Sequence, residues 1–153
     1  MTVFFCRLAL WALICLPLNV YAFTDDEVVK WSSAVLTQTL SASYQDTPEQ
    51  IAAVRSHYML AAWGPMLDFF VEKRAYVQKN QLTLHPTPLS DPTLVASGLC
   101  HDLPCWRVNQ SFSVPELAFN IDFSLLITIT GNMSDPALIV QSMDFVLHDI
   151  PKS

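Results

Sequence analysis

From Phe119 to Thr130 the chain alternates. Phe119, Ile121, Phe123, Leu125, Ile127 and Ile129 fall on one side, and Asn120, Asp122, Ser124, Thr128 and Thr130 on the other. A period of two residues sends successive side chains to opposite faces, so the run reads as a strand with one packed face and one wet face. A second alternation precedes it, with Trp106, Val108, Gln110, Phe112 and Val114 opposite Arg107, Asn109, Ser111 and Ser113. Two such neighbours call for an antiparallel sheet covered on its apolar side. Shorter strands are expected near Leu82–His85, Thr93–Leu99 and Leu138–Leu147. Pro86, Pro88, Pro92, Pro115 and Pro136 fall between these runs, where a missing N–H costs no ladder bond.

The cover comes from the first half of the chain. Thr24 followed by Asp25, Asp26 and Glu27 is a capping box, and its carboxylates suit the positive end of a helix. Val28, Trp31, Val35, Leu36 and Leu40 recur at helical spacing, which predicts a helix to about Tyr44. Thr47-Pro48-Glu49-Gln50 is a second start signal, with Pro48 at the first helical position. Ile51, Val54 and Tyr58 mark the buried side of that second helix. Gly64-Pro65 is expected to break or redirect it, after which Met66, Phe69, Phe70, Lys73 and Val77 continue helical to about Asn80. The order is helices, then strands. The fold class is therefore α+β, with N-terminal helices packed on a twisted antiparallel sheet.

Residues 1–22 are almost entirely apolar, with Arg7 as their only charge. A basic residue, the short run Leu8–Leu18 and the small-residue end Val20-Tyr21-Ala22 form an export signal, with cleavage between Ala22 and Phe23. An uncleaved anchor is the competing reading, although Arg7, Pro17 and Asn19 make a poor helix for lipid. The organisation read here is thus a signal peptide over 1–22 and one α+β domain over 23–150. After cleavage no membrane span remains, because no later segment is apolar for long enough.

Export makes the cysteines legible. Of four cysteines, Cys6 and Cys15 leave with the signal, and Cys100 and Cys105 stay. An even pair in an oxidising compartment favours a disulfide, which at this loop length contributes about 2 kcal/mol in the chain-entropy model. Metal is the sharper alternative, since Cys100, His101 and Cys105 all have donor atoms. A structural zinc site needs four ligands, however, and His57, His85 and His148 are scattered. Free thiols are the third possibility.

The net charge of −6 and the lack of any basic stripe disfavour nucleic acid, whose affinity comes from neutralised phosphates. With three glycines, Gly64, Gly98 and Gly131, the chain holds no glycine-rich phosphate loop. His57-Tyr58 and His85 could supply a base, but no serine or cysteine nucleophile motif accompanies them. Asp25, Asp26 and Glu27 read as helix caps and Asp122 as exposed. No catalytic residue, cofactor or metal is assigned.

The order of several short motifs is similar to that in the periplasmic domains of the IcmL/DotI family of type IVB (Dot/Icm) secretion and conjugation systems. They are Asp25-Asp26 with Trp31, His57-Tyr58, Ala62-Trp63, Phe69-Phe70, Trp106-Arg107-Val108 and Ile139-Val140-Gln141-Ser142-Met143. Trp31, Tyr58, Trp63, Trp106 and Gln141 are the core residues of these motifs. The resemblance implies a cone of helices on a curved sheet, like cystatin-type and nuclear-transport-factor-type folds. It implies a non-enzymatic exported protein without a cofactor, whose partners are other secretion-system envelope proteins or further copies of itself. The alternative is a periplasmic small-molecule-binding protein or enzyme that uses a cavity inside the cone. An apolar lining of Trp31, Tyr58, Trp63, Phe70 and Trp106 favours a filled core instead.

Overall fold

The computed structural model describes residues 23–132 and 134–150. The export segment expected over 1–22, including Ala22, lies outside the described residues, which start at Phe23. Three helices come first: α1 (Asp25–Leu40), α2 (Pro48–Arg55) and α3 (Leu60–Lys79). Five strands follow: β1 (Thr87–Pro88), β2 (Thr93–Cys100), β3 (Leu103–Val114), β4 (Phe119–Asn132) and β5 (Asp135–Asp149). All pairings between these five strands are antiparallel. β4 lies between β3 and β5, and β1 and β2 share the other edge of β3. The sheet is curved and unclosed, and the helices cover one face of it.

Both helix starts are built as their sequences dictate. Thr24 Oγ1 accepts from the Glu27 N–H, and Glu27 Oε2 accepts from the Thr24 N–H at 2.7 Å. That backbone bond, with a further one from the Thr24 hydroxyl, holds the Glu27 carboxyl below the ordinary range. Thr47 and Gln50 repeat the arrangement at the head of α2. The alternating runs become β3 and β4, and their apolar faces meet the helices. Leu36, Met66, Phe112, Ile121, Leu125 and Ile127 are among the largest side chains fully buried there.

Several boundaries differ from expectation. α1 ends at Leu40 because the next residues pair elsewhere: the Leu84 N–H donates to Ala42 O and the Tyr44 N–H to Leu82 O. The strand expected at Leu82–His85 is therefore an isolated bridge between Thr83 and Ser43, outside the sheet. The helix break is at Ser56–Met59, not at Gly64-Pro65. Pro65 sits inside α3, where its ring removes one bond to the carbonyl of Ala61. Ala61 is exposed, so water can take that carbonyl. Pro88 and Pro136 lie within strands, contrary to expectation, but both strands are edge strands, where proline is tolerated.

Two hairpins set the register. Between β2 and β3 the turn is His101-Asp102, with φ of 50° and 66°. Positive φ at both central residues matches the twist of the flanking strands. The Cys100–Cys105 disulfide closes this hairpin, with the Cα atoms 5.7 Å apart. Both sulfurs are consumed in that bond, and among the described residues no group of three or more His, Cys, Asp or Glu could hold a metal ion. At the β4–β5 hairpin, Asn132 Oδ1 accepts from the backbone N–H groups of Ser134 and Asp135. Gly131 there has φ of 88°, and a Cβ would come within 2.5 Å of the Asp135 carbonyl oxygen. Gly131→Ala is therefore expected to cost at least ~1 kcal/mol, through both the left-handed backbone and the clash. Thermal unfolding of the variant checks this, and an unchanged melting temperature would contradict the assignment.

Candidate functional site

One strand interruption organises the residues that the motifs singled out. Along β5, Ser142 pairs with Leu126 and Val140 with Ile127, so Gln141 is an extra residue, a β-bulge. At the bulge the connection between α2 and α3 docks on the strand edge. The Val140 N–H donates to His57 O, and the Met59 N–H donates to Val140 O, each at 2.9 Å. Tyr58, between them, points into the core.

Tyr58 is buried, and its hydroxyl lies 2.7 Å from Thr39 Oγ1. The Thr39 hydroxyl already donates to Val35 O, so Tyr58 donates to Thr39. Burial pushes the Tyr58 phenol up to about 12, with the Thr39 bond opposing. Around this residue the other motif side chains assemble. The Trp63 ring centroid is 5.4 Å from that of Tyr58, and Trp31 meets the His57 ring edge-on at 5.9 Å. Trp31, Trp63 and Gln141 are half-buried.

Trp106 anchors the other end of the helical layer. It is buried at the head of its alternating run, and its indole N–H donates to Asp25 Oδ1 at 2.8 Å. The three carboxylates read as caps thus have different roles. Glu27 caps, Asp26 pairs with Lys30, and Asp25 ties the first turn of α1 to β3. Neither the Asp25–Trp106 bond nor the Val140 docking carries a local sequence signal, because the partners are 81 residues apart in the first case and more than 80 in the second. The motif residues brought together in this way form packing and backbone pairing, with no reactive group at their centre.

The histidines do not converge. His57 packs on Trp31, His85 pairs with Glu116, and His148 Nε2 lies 2.8 Å from Asp122 Oδ2. Asp122 is exposed on the outer face, and hydrogen bonds from Ser111 and His148 hold its carboxyl below the ordinary range.

The space between the helices and the sheet is packed with apolar side chains. Between α3 and the sheet, a residual space of about 10 Å³ remains among Leu40, Phe69, Val77, Val114 and Phe119. That is at the lower limit for one water, and the lining is apolar. A larger depression lies outside the cone, on the helical surface. It measures about 410 Å³ and is bordered by Ile51, Val54, Trp63, Leu67 and Phe70. Its charged side chains are Asp46 and Arg74, which face each other at 3.8 Å.

No protein-family model matches the sequence, and no curated protein does. Solved structures match well. The periplasmic domain of DotI superposes with a TM-score of 0.66 at 14% identity, over 86% of this chain and 99% of that one. A periplasmic fragment of TraM gives 0.66 at 11% identity, over 83% and 98%. An IcmL-like type IV secretion system protein from Legionella pneumophila gives 0.59 at 14%, over 86% and 98%. This chain has the IcmL/DotI fold. The motifs that suggested the resemblance occupy the structural joints of that DotI-like fold in this chain: Asp25 to Trp106, His57–Met59 to Val140, and Tyr58 to Trp63.

Two predictions follow from the joints. Trp106→Ala is expected to cost about 3–5 kcal/mol, the range for emptying a buried aromatic site. Trp106→Phe, which keeps most of the volume and loses the bond to Asp25, should cost about 1–2 kcal/mol. Thermal unfolding distinguishes these from an exposed contact residue, whose loss would leave the melting temperature unchanged. For Tyr58, the folded chain holds the phenolic proton more tightly than the unfolded chain does, where the pKa is about 10. Its contribution is therefore complete below about pH 10 and is lost as pH rises toward 12. Tyr58→Phe should lower stability by roughly 0.5–1.5 kcal/mol at neutral pH and show a shallower decline above pH 10. Denaturant unfolding at neutral and alkaline pH measures both effects.

Proposed function

We propose that this chain is an exported, non-enzymatic component or accessory of a type IVB secretion or conjugation apparatus, acting in the periplasm through protein–protein contacts. The observation that carries the reading is the extent of the match. A periplasmic domain of DotI, an IcmL-like type IV secretion system protein and a periplasmic fragment of TraM are covered almost end to end by this chain, at 98–99% of their lengths. Fold alone does not fix function. The apolar packing between the helices and the sheet adds to the case.

Export follows from residues 1–22 read as a signal peptide cleaved between Ala22 and Phe23. The Cys100–Cys105 disulfide fits that destination, because such bonds persist in oxidising compartments. No helix of the described residues is long and apolar enough to cross a membrane. Partners are then other envelope proteins of the apparatus. The net charge of −6 argues against nucleic acid as one of them.

The alternative is a periplasmic small-molecule-binding protein or enzyme. In the depression beside Trp63 and Phe70, the charged side chains Asp46 and Arg74 face each other, which favours the first reading over chemistry at that place. Affinity capture of the tagged chain from gently solubilised envelopes, read by mass spectrometry, tests the proposal. Co-purification of secretion-system subunits is expected. Their absence, with the tagged chain folded and exported, would overturn the apparatus role.

A further inference from the structure

Edge strands expose unpaired backbone groups, and folded proteins usually blunt them. Several parts of the sheet perimeter here are blunted. Pro88 interrupts one edge at β1, and a bulge at Val95 splits β2. On the opposite edge Pro136 opens β5, Gln141 bulges, and the His57–Met59 connection covers Val140. The run from Met143 to Asp149 has no such device.

The direction of its backbone groups is fixed by its neighbours. Val140 directs both its N–H and its carbonyl outward, to His57 and Met59, while Ile150 donates inward to Ala118 O. Continuing that alternation opposite an uninterrupted β4 turns the groups of Met143, Phe145, Leu147 and Asp149 outward. Among the described residues none of these four finds a backbone partner beyond β4. The side chains beside them are also open, with Val146 58% and Leu147 40% exposed.

We propose that the Met143–Asp149 edge joins two copies of this chain across a two-fold axis, with the β5 strands antiparallel and Val146 opposite the second copy's Val146. Hydrogen-bond direction allows only registers that place outward residues opposite one another. Within those, the solvent-face charges choose. Centring on Phe145 sets Asp144 opposite Val146, and moving one step further toward the bulge sets Asp144 against its own counterpart. Centring on Leu147 sets His148 opposite Val146. Centring on Val146 alone places Asp144 opposite His148, twice by symmetry, and buries the two exposed valines against each other. Phe145 then lies opposite Leu147 on the apolar face, so the core side of the two sheets is continuous. His148, already 2.8 Å from Asp122, gains a second carboxylate at its free side. The partner is a second copy because the strand is complementary to itself. The inference stands apart from the secretion role, since it concerns association of this chain alone.

Single cysteines introduced into the full chain test the register, with copper phenanthroline as oxidant and the unsubstituted chain as background. Directly opposed Cβ atoms lie about 4.5–5.5 Å apart, within reach of a disulfide after small adjustment. Val146→Cys should cross-link to itself. Asp144→Cys should not, since its two copies would stand about 13 Å apart along the strands. A mixture of Asp144→Cys and His148→Cys chains should cross-link to each other, and adding Val146→Lys to both should reduce that yield more than tenfold. Melting temperatures equal to that of the parent chain establish that each variant is folded. Absence of the Val146→Cys cross-link in folded protein would overturn the proposal. So would an Asp144→Cys self-cross-link of equal yield, or indifference to Val146→Lys.

Discussion

A pair of backbone hydrogen bonds at Val140 holds the helical layer to the sheet. Strand β5 is an edge, and its bulge at Gln141 bends it where the α2–α3 connection arrives. His57 and Met59 then act as a short extra strand, and Tyr58 is driven inward to meet Thr39 on α1. All three helices depend on that junction. α2 ends just before it, α3 begins just after it, and α1 is pinned beneath it through the Tyr58 hydroxyl. At the far end the same layer is fixed a second time, by the indole N–H of Trp106 on Asp25. A cone secured at both ends can close fully over its apolar sheet face.

Met66, Phe112, Ile121 and Leu125 fill the space between the layers with apolar side chains. The outer surface of this chain carries several distinct features: the depression along α2 and α3, the polar outer face of β3 and β4, and the open stretch of β5. The polar residues buried in the joints are there for geometry, since each holds one element against another. Gln110, buried on the packed face, donates its Nε2 to the Ser90 carbonyl at 3.4 Å and ties β3 to the loop before β2.

Local signals predicted local structure well. Both capping boxes form as their Thr-x-x-Glu and Thr-x-x-Gln spacing requires, and the alternation runs along β4 from Phe119 to Ile127; Thr128, read on the wet face, is instead buried, its hydroxyl donating to the Pro104 carbonyl. Gly64-Pro65 misled because proline in an early helical turn forfeits only one bond, and exposed Ala61 can give its carbonyl to water. The true break at Ser56–Met59 contains neither glycine nor proline. Nothing in those four residues announces it, because the partner that ends the helix, Val140, is remote in sequence.

Sequence alone therefore determined most of the helices and the long strands, which of their faces are apolar, and that Cys100 and Cys105 favour a disulfide. Those properties follow from side-chain periodicity and from groups a few residues apart. Tertiary structure alone decided that Asp25 serves Trp106 instead of the helix end, and that Gln141 is a bulge. It also decided which apolar side chains pack between the layers and that one stretch of β5 is left open. Each of these rests on a backbone or side-chain group finding its partner across the fold. Such partnerships depend on how the layers close, which no local pattern encodes.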